Sequence, residues 1–176
     1  MPIKIDGLTR RSFIFPAGLG SAFAYFSDLD RIFTWLPHIS VLRKYSETSY
    51  RLLYSTIELG VYSVRIVCDI EATLDTSISI LLLVPIKKPD QVESSFGLRS
   101  MQTQGSYSSE SRFTPLGNQT RIDYSLRIQA SLPTPLATMY MPSSVRNSIA
   151  TRITSWRIHE IAEGFIERSI DKFHQA

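Results

Sequence analysis

The chain has 176 residues, of which 43% are hydrophobic and 20% are charged, and its formal net charge is +3 at pH 7. These values are typical of one globular domain, here expected over residues 1–176, and they exclude a disordered or a fibrous protein. Because the basic residues are spread along the chain without a basic tract, the sequence does not indicate a nucleic-acid partner.

Cysteine content and hydropathy favour a cytoplasmic protein. Cys68 is the only cysteine, so neither an intramolecular disulfide nor a cysteine-rich metal site can form, and a reducing compartment fits best. Charged residues interrupt residues 1–15, which therefore lack the apolar core of a signal peptide. The longest apolar run, residues 78–86, is far shorter than the ~20 residues of a membrane-spanning helix.

The N-terminal part predicts one strand followed by two short helices. Residues 8–15 favour a strand that ends at a proline and a glycine-containing turn. Apolar residues then recur at three- and four-residue steps over residues 23–36, which is typical of helices. Ser27 or Asp28 can cap the second helix, and Pro37 ends it.

The middle of the chain predicts an antiparallel sheet. From residue 39 to residue 132 the hydrophobic period is two, and each clear strand has one apolar and one polar face. With the first strand this gives seven strands, typical of a strongly bent sheet. Besides the first, we expect strands at residues 39–45, 50–57, 62–74, 78–84, 102–113 and 121–130.

A connector and a long helix complete the chain. Residues 131–142 contain three prolines and cannot continue the sheet, so their apolar side chains either pack over it or line an entrance. The helix is expected to begin at Ser143 or Ser144, either of which can cap it, and to end near Phe173.

This helix carries two apolar stripes on opposite sides. The first stripe consists of Val145, Ile149, Ile153 and Trp156, and the second of Ile158, Ile161 and Phe165. One straight helix cannot bury both stripes against one sheet. The second stripe therefore needs another cover, which can be the short helices, a bend near Gly164 or a partner subunit.

Residues 26–39 read FSDLDRIFTWLPHI and resemble the first helices of the START-like (SRPBCC) superfamily, which contains polyketide cyclases and lipid-carrier proteins. The order of predicted elements in the rest of the chain agrees. Within the superfamily the chain is most similar to an uncharacterised branch from photosynthetic lineages. The resemblance implies an α+β helix-grip fold, in which a curved seven-stranded antiparallel sheet surrounds a long C-terminal helix, two short helices follow the first strand, and an apolar cavity is enclosed.

Polar residues give no catalytic motif. The three histidines, His38, His159 and His174, are too few and too scattered for a metal site, and no cofactor is indicated. We interpret them as surface or capping residues.

Four acidic residues occur around the strand predicted at residues 62–74, but two of them fall on its polar face. A solvated edge is therefore the preferred interpretation over an acid–base pair. The four are Glu58, Asp69, Glu71 and Asp75.

The preferred hypothesis is that the cavity binds a hydrophobic or amphipathic small molecule, such as a lipid, an isoprenoid or a polyketide-like compound. Tyrosines can offer it both a ring and a hydroxyl group, although each tyrosine can equally be a core residue. Arg99 and Arg112 are candidates for contact with a carboxylate or phosphate headgroup. The candidate lining residues are Tyr54, Tyr62, Ile66, Tyr107, Tyr124, Leu126, Met139, Ile149, Ile153 and Trp156.

Two alternatives stay open. In the first, the protein is a cyclase or aromatase in which a tyrosine or an arginine polarises a carbonyl group. It ranks lower because the apolar strand faces hold almost no ionisable groups other than tyrosine. In the second, the domain is an interaction module that uses the second stripe and residues 139–141 for a homodimer, another protein or a transient contact with a membrane surface.

Overall fold

The computed structural model describes residues 2–86, 91–134 and 138–176. Over these ranges the chain forms eight strands and three α-helices, with one short 3-10 helix. They are β1 (Ile3–Phe15), α1 (Leu19–Ser27), α2 (Leu29–Ile32), the 3-10 helix (Phe33–Trp35), β2 (Ile39–Lys44), β3 (Ser49–Glu58), β4 (Tyr62–Asp75), β5 (Ile80–Pro85), β6 (Ser95–Phe96), β7 (Ser100–Leu116), β8 (Gln119–Leu132) and α3 (Ser143–Gln175).

All the strands belong to one sheet, ordered β1-β8-β7-β5-β4-β3-β2, with β6 paired to β7. Neighbouring strands are antiparallel except for one pairing, in which the start of β4 runs parallel to the start of β7. β4 therefore pairs with β7 over its first half and with β5 over its second half. The predicted α+β helix-grip fold is confirmed, and the structure adds β6 to the seven predicted strands.

The short helices form where the sequence places them. The side chain of Asp28 caps α2 by accepting a hydrogen bond of 3.2 Å from the Arg31 amide. Phe26 of α1 is fully buried, with its ring centroid 5.0 Å from that of Phe15 and 6.0 Å from that of Phe165. These aromatic contacts fix α1 between one end of the sheet and the C-terminal half of α3.

The second stripe of α3 is the buried one. Ile158, Ile161 and Phe165 are almost completely covered, and Gly164 lies so close to Pro37 that a Cβ atom there would be 2.5 Å from the proline Cγ. The sheet and the short helices therefore cover the second stripe, which was one of the possibilities that the sequence allowed. The first stripe is largely exposed instead, as Val145 and Trp156 show.

The start of α3 differs from expectation. Pro142 occupies the N-cap position, and no side chain caps the helix, so the predicted capping role of Ser143 or Ser144 is wrong. The helix begins directly after the proline, whose fixed φ suits this position. Among the described residues, no helix is long and apolar enough to span a lipid bilayer.

The acidic residues of β4 are not all solvated. Asp69 is buried and accepts two hydrogen bonds from Arg51, of 2.8 Å and 2.7 Å. The interpretation of Asp69 as part of a solvated edge is therefore wrong, because its cross-strand partner on β3 supplies the counter-charge. Glu71 is exposed, as expected.

Candidate ligand-binding cavity

A cavity of about 260 Å³ lies between the N-terminal half of α3 and the concave face of the sheet. Its volume is close to the lower end of the ~300–1,000 Å³ range of small-molecule pockets. β1, β3, β4, β7 and β8 supply its floor with mainly aliphatic and aromatic side chains. They include Tyr54, Thr56, Glu58, Tyr62 and Ile66.

One face of α3 forms the roof of the cavity. The lining residues on this helix recur at three- and four-residue steps, which places them on one side. They are Arg146, Ile149, Ala150, Ile153, Thr154, Arg157 and, at the closed end of the cavity, Ile161. Beyond Arg157 the helix packs closely on the sheet, so the cavity ends where the tightly packed half of α3 begins.

Gly7 permits the close approach of α3 to β1. A Cβ atom at this position would lie 2.8 Å from Thr154 Cγ2 and 3.2 Å from Ile158 Cδ1. The helix therefore touches the backbone of β1 at this point, and most of the cavity lining on α3 lies on the N-terminal side of the contact.

Exposed apolar side chains surround the mouth of the cavity. Leu59 and Val61 belong to the turn between β3 and β4, and Leu98 belongs to the segment between β6 and β7. Leu59 is 73% exposed and Leu98 is 78% exposed, although both also line the cavity. Large apolar groups at an opening provide a poorly hydrated route for an apolar molecule.

A carboxylate and a guanidinium group pair inside the cavity. Glu58 accepts hydrogen bonds from Arg157 Nε at 2.9 Å and from Thr56 Oγ1 at 2.9 Å. Both partners of the ion pair are largely buried. The sequence interpretation of Glu58 as a solvated residue is therefore wrong, because α3 brings a cation to it from 99 residues further along the chain.

The pair extends outward to Glu160 and His38. Arg157 Nη1 donates a hydrogen bond of 2.7 Å to Glu160, and His38 Nε2 lies 3.1 Å from the same carboxylate oxygen. Partial burial acts to raise the pKa of Glu160, but the interactions with Arg157 and His38 outweigh it and lower this pKa below its ordinary value. Burial, together with the negative charge of Glu58, raises the pKa of Tyr54, which keeps its hydroxyl protonated.

Two other polar side chains of the cavity each have a buried atom that is not hydrogen-bonded to any described residue. The hydroxyl oxygen of Tyr62 and the Nε atom of Arg146 are both buried, and neither has a hydrogen-bond partner within residues 2–86, 91–134 and 138–176. The Arg146 side chain makes one hydrogen bond, from Nη1 to the carbonyl oxygen of Thr138 at 3.3 Å. Unsatisfied buried polar atoms are rare in folded proteins and call for an explanation.

Half of the predicted lining residues lie at the cavity: Tyr54, Tyr62, Ile66, Ile149 and Ile153. Tyr107, Tyr124 and Leu126 are on the concave face but belong to the packed core instead. The ring centroid of Tyr124 is 5.0 Å from that of Phe165, and burial raises the pKa of Tyr107 to about 12. The alternation of a strand identifies its inner face but not which part of that face the helix covers.

The other predicted residues lie outside the cavity. Met139 and Trp156 are exposed, the latter because it lies about 100° around α3 from Arg157. Arg99 is exposed, and Arg112 is paired with Glu110 at 3.1 Å. Arg112 and Tyr124 border a second depression, of about 590 Å³, whose lining is mainly charged.

Sequence reasoning missed Glu58, Arg146 and Arg157 as cavity residues. The two arginines are eleven residues apart, a helical spacing that places them on the same face as Ile149 and Ile153. That spacing could have identified both arginines as residues of the cavity-facing side of the helix. For Glu58 the sequence offers no comparable signal, since its partner comes from a distant element.

Comparisons with known proteins establish the fold. No protein-family model matches the chain, and no curated protein matches it. Among solved structures, a conserved protein from Geobacillus kaustophilus superposes with a TM-score of 0.56 at 11% identity, covering 97% of this chain and 96% of that one. The Zhui aromatase/cyclase from Streptomyces sp. R1128 gives 0.55 at 8% identity, covering 96% and 93%.

A third similar structure is the di-domain aromatase/cyclase StfQ of the steffimycin biosynthetic pathway. It has a TM-score of 0.50 at 11% identity, and the match covers 96% of this chain and 50% of that one. Aromatase/cyclases are among the proteins that the sequence resemblance implied. The chain therefore has the START-like (SRPBCC) fold.

Proposed function

We propose that this protein binds a hydrophobic or amphipathic small molecule, such as a lipid, an isoprenoid or a polyketide-like compound, in the cavity beneath α3. The observation that carries the proposal is the cavity itself, which has mainly apolar walls and an apolar mouth. Burial of ligand surface contributes about 25 cal/mol per Å², so such walls favour apolar ligands of many shapes. Tyr54, Tyr62, Ile66, Ile149 and Ile153 are the proposed contacts.

Filling the cavity is expected to abolish binding of a neutral apolar dye. Ala150 lines the cavity, so Ala150→Phe places a ring in the space that the ligand would occupy. We expect the affinity for Nile red, measured by fluorescence titration, to fall at least about tenfold, which is the effect of roughly 1.4 kcal/mol.

Thr151→Phe is the matched control for this experiment. Thr151 is exposed and adjacent on the same helix, so its replacement adds the same ring outside the cavity. Dye affinity in this variant should equal that of the unaltered protein. Equal affinity in all three proteins would contradict binding in the cavity, and so would absence of dye binding by the unaltered protein.

The Glu58–Arg157 pair supports a second candidate function, a cyclase or aromatase activity. It places an ionisable pair in the cavity wall, where the sequence suggested almost none. In such an enzyme Arg157 would polarise a carbonyl group of the substrate, and Glu58 would exchange a proton with it.

Glu58→Gln tests the enzymatic alternative. Glutamine keeps the size and the hydrogen-bonding ability of the side chain but cannot exchange a proton. Loss of turnover of a poly-β-keto substrate by a factor of ~100 or more, with retained Nile red affinity, would establish the enzyme. Absence of turnover by the unaltered protein would leave binding as the function.

A further inference from the structure

Among the described residues, Arg146 is the cavity cation that no carboxylate neutralises. Of the described residues that line the cavity, the charged ones are Glu58, Arg146 and Arg157. Arg157 bonds to Glu58 and also to Glu160, which commits its guanidinium group to two carboxylates. The hydrogen bond that Arg146 makes goes to a neutral carbonyl oxygen. A positive charge that is partly desolvated and unpaired favours a negative partner.

Arg146 and the Glu58–Arg157 pair lie at opposite ends of the cavity. Eleven residues separate the two arginines on one helix face, which corresponds to about 16 Å along the axis of α3. Ile149 and Ile153 occupy the surface between them. The roof of the cavity is therefore polar at each end and apolar in the middle, and only the end with Arg146 has an uncompensated charge.

Tyr62 supplies a second group of the same kind. Its hydroxyl oxygen is buried and has no hydrogen-bond partner in the part of the chain that the structure describes, and its side chain lines the same cavity as Arg146. A buried hydroxyl group without a hydrogen bond costs about 1–3 kcal/mol, which a ligand acceptor would recover. Both unsatisfied groups can donate a hydrogen bond, so they call for an acceptor.

We propose that the ligand carries an anionic oxygen group, a carboxylate or a phosphate, that Arg146 binds, while its apolar part lies along Ile149 and Ile153. This inference rests on the proposed function and specifies its ligand class as amphipathic acids. A planar carboxylate or a phosphate suits a guanidinium group, which can donate two parallel hydrogen bonds.

The test compares three molecules with ten carbon atoms in a straight chain, decanoate, decyl phosphate and decanol, as competitors of Nile red. For the unaltered protein we expect at least one of the two anions to compete about 10–100-fold better than decanol, the effect of a charged hydrogen bond. The relative strength of decanoate and decyl phosphate then distinguishes a carboxylate ligand from a phosphate ligand.

A variant assigns the preference to Arg146. Arg146→Met should abolish the difference between the anions and decanol. Arg152→Met is the matched control, since Arg152 is exposed on the same helix and outside the cavity, and it should keep the full difference. The comparison in the unaltered protein needs no variant and therefore survives any folding defect of Arg146→Met.

Equal competition by decanol and both anions in the unaltered protein would overturn the inference and leave the proposed function intact. A preference for the anions that persists in Arg146→Met would also overturn it. If Nile red does not bind, and calorimetry detects no binding of any of the three compounds, both the inference and the proposed function fail.

Discussion

Replacement of Gly105 by alanine is expected to lower the free energy of unfolding by about 3 kcal/mol. A Cβ atom at this position would lie 2.5 Å from Ile66 Cγ2 and 2.6 Å from the backbone carbonyl oxygen of Gln129. Ile66 is fully buried, and the carbonyl oxygen belongs to the neighbouring strand β8, so neither atom can move aside without disturbing the sheet. Gly105 begins the β7–β8 pairing immediately after the last β4–β7 pair, which is where the close approach occurs.

Gly20→Ala is the matched control, and its expected effect has the opposite sign. Gly20 is exposed in α1, and no atom lies within 4 Å of a Cβ atom built there. Alanine reduces the conformational entropy of the unfolded chain and should therefore stabilise the protein by about 0.5–1 kcal/mol. Urea unfolding followed by circular dichroism measures both variants. A loss of less than ~1 kcal/mol in Gly105→Ala would contradict the steric explanation.

Arg51→Met is expected to destabilise the protein by about 3–5 kcal/mol, since it leaves a buried carboxylate without its cation. The Asp69 side chain is only 1% exposed, and Arg51 supplies two of its hydrogen bonds. In the double variant Arg51→Met/Asp69→Asn no charge remains buried and unpaired, so much of the lost stability should return. Urea midpoints of the single and double variants test this directly.

A second ion pair with the same geometry shows whether the loss of stability comes from burial of the charge or from the geometry of the pair. Arg127 also donates two hydrogen bonds to one carboxylate, that of Asp6, at 2.8 Å and 2.6 Å, but this pair lies on the exposed face of the sheet. Surface ion pairs contribute little because water and salt screen them. Arg127→Met should therefore leave the urea midpoint nearly unchanged. Equal losses for the two arginine variants would show that burial of Asp69 is not the cause.

The fold could be predicted from the sequence because local hydrophobic patterns indicate its strands and short helices. The alternation of Ile122, Tyr124 and Leu126 with polar residues gives the correct inner face of β8. It could not predict β6, since two residues held by backbone pairing to β7 leave no hydrophobic period. The sequence also could not show which of the two stripes of α3 is buried, because both stripes are apolar. Tertiary contacts, such as that of Gly164 with Pro37, decide this.

The candidate site was less predictable, because tertiary contacts also decide which residues border the cavity. Tyr62 and Ile149 could be identified because they lie on apolar faces. Tyr107 shares those properties and nevertheless packs in the core, since the position of α3 over the sheet determines which inner residues border empty space. The pairing of Glu58 with Arg157 joins elements that are 99 residues apart, and no local pattern encodes such a contact.

The contact of α3 with the backbone of β1 at Gly7 divides the helix into two parts that differ in their tolerance of substitution. On the C-terminal side, substitutions at Ile158, Ile161 or Phe165 disturb the core and would be removed by selection for stability. On the N-terminal side, residues such as Ile149 and Ile153 border the cavity, so changes in their size alter its shape at little cost in folding. Substitutions can therefore reshape the cavity while the scaffold stays unchanged.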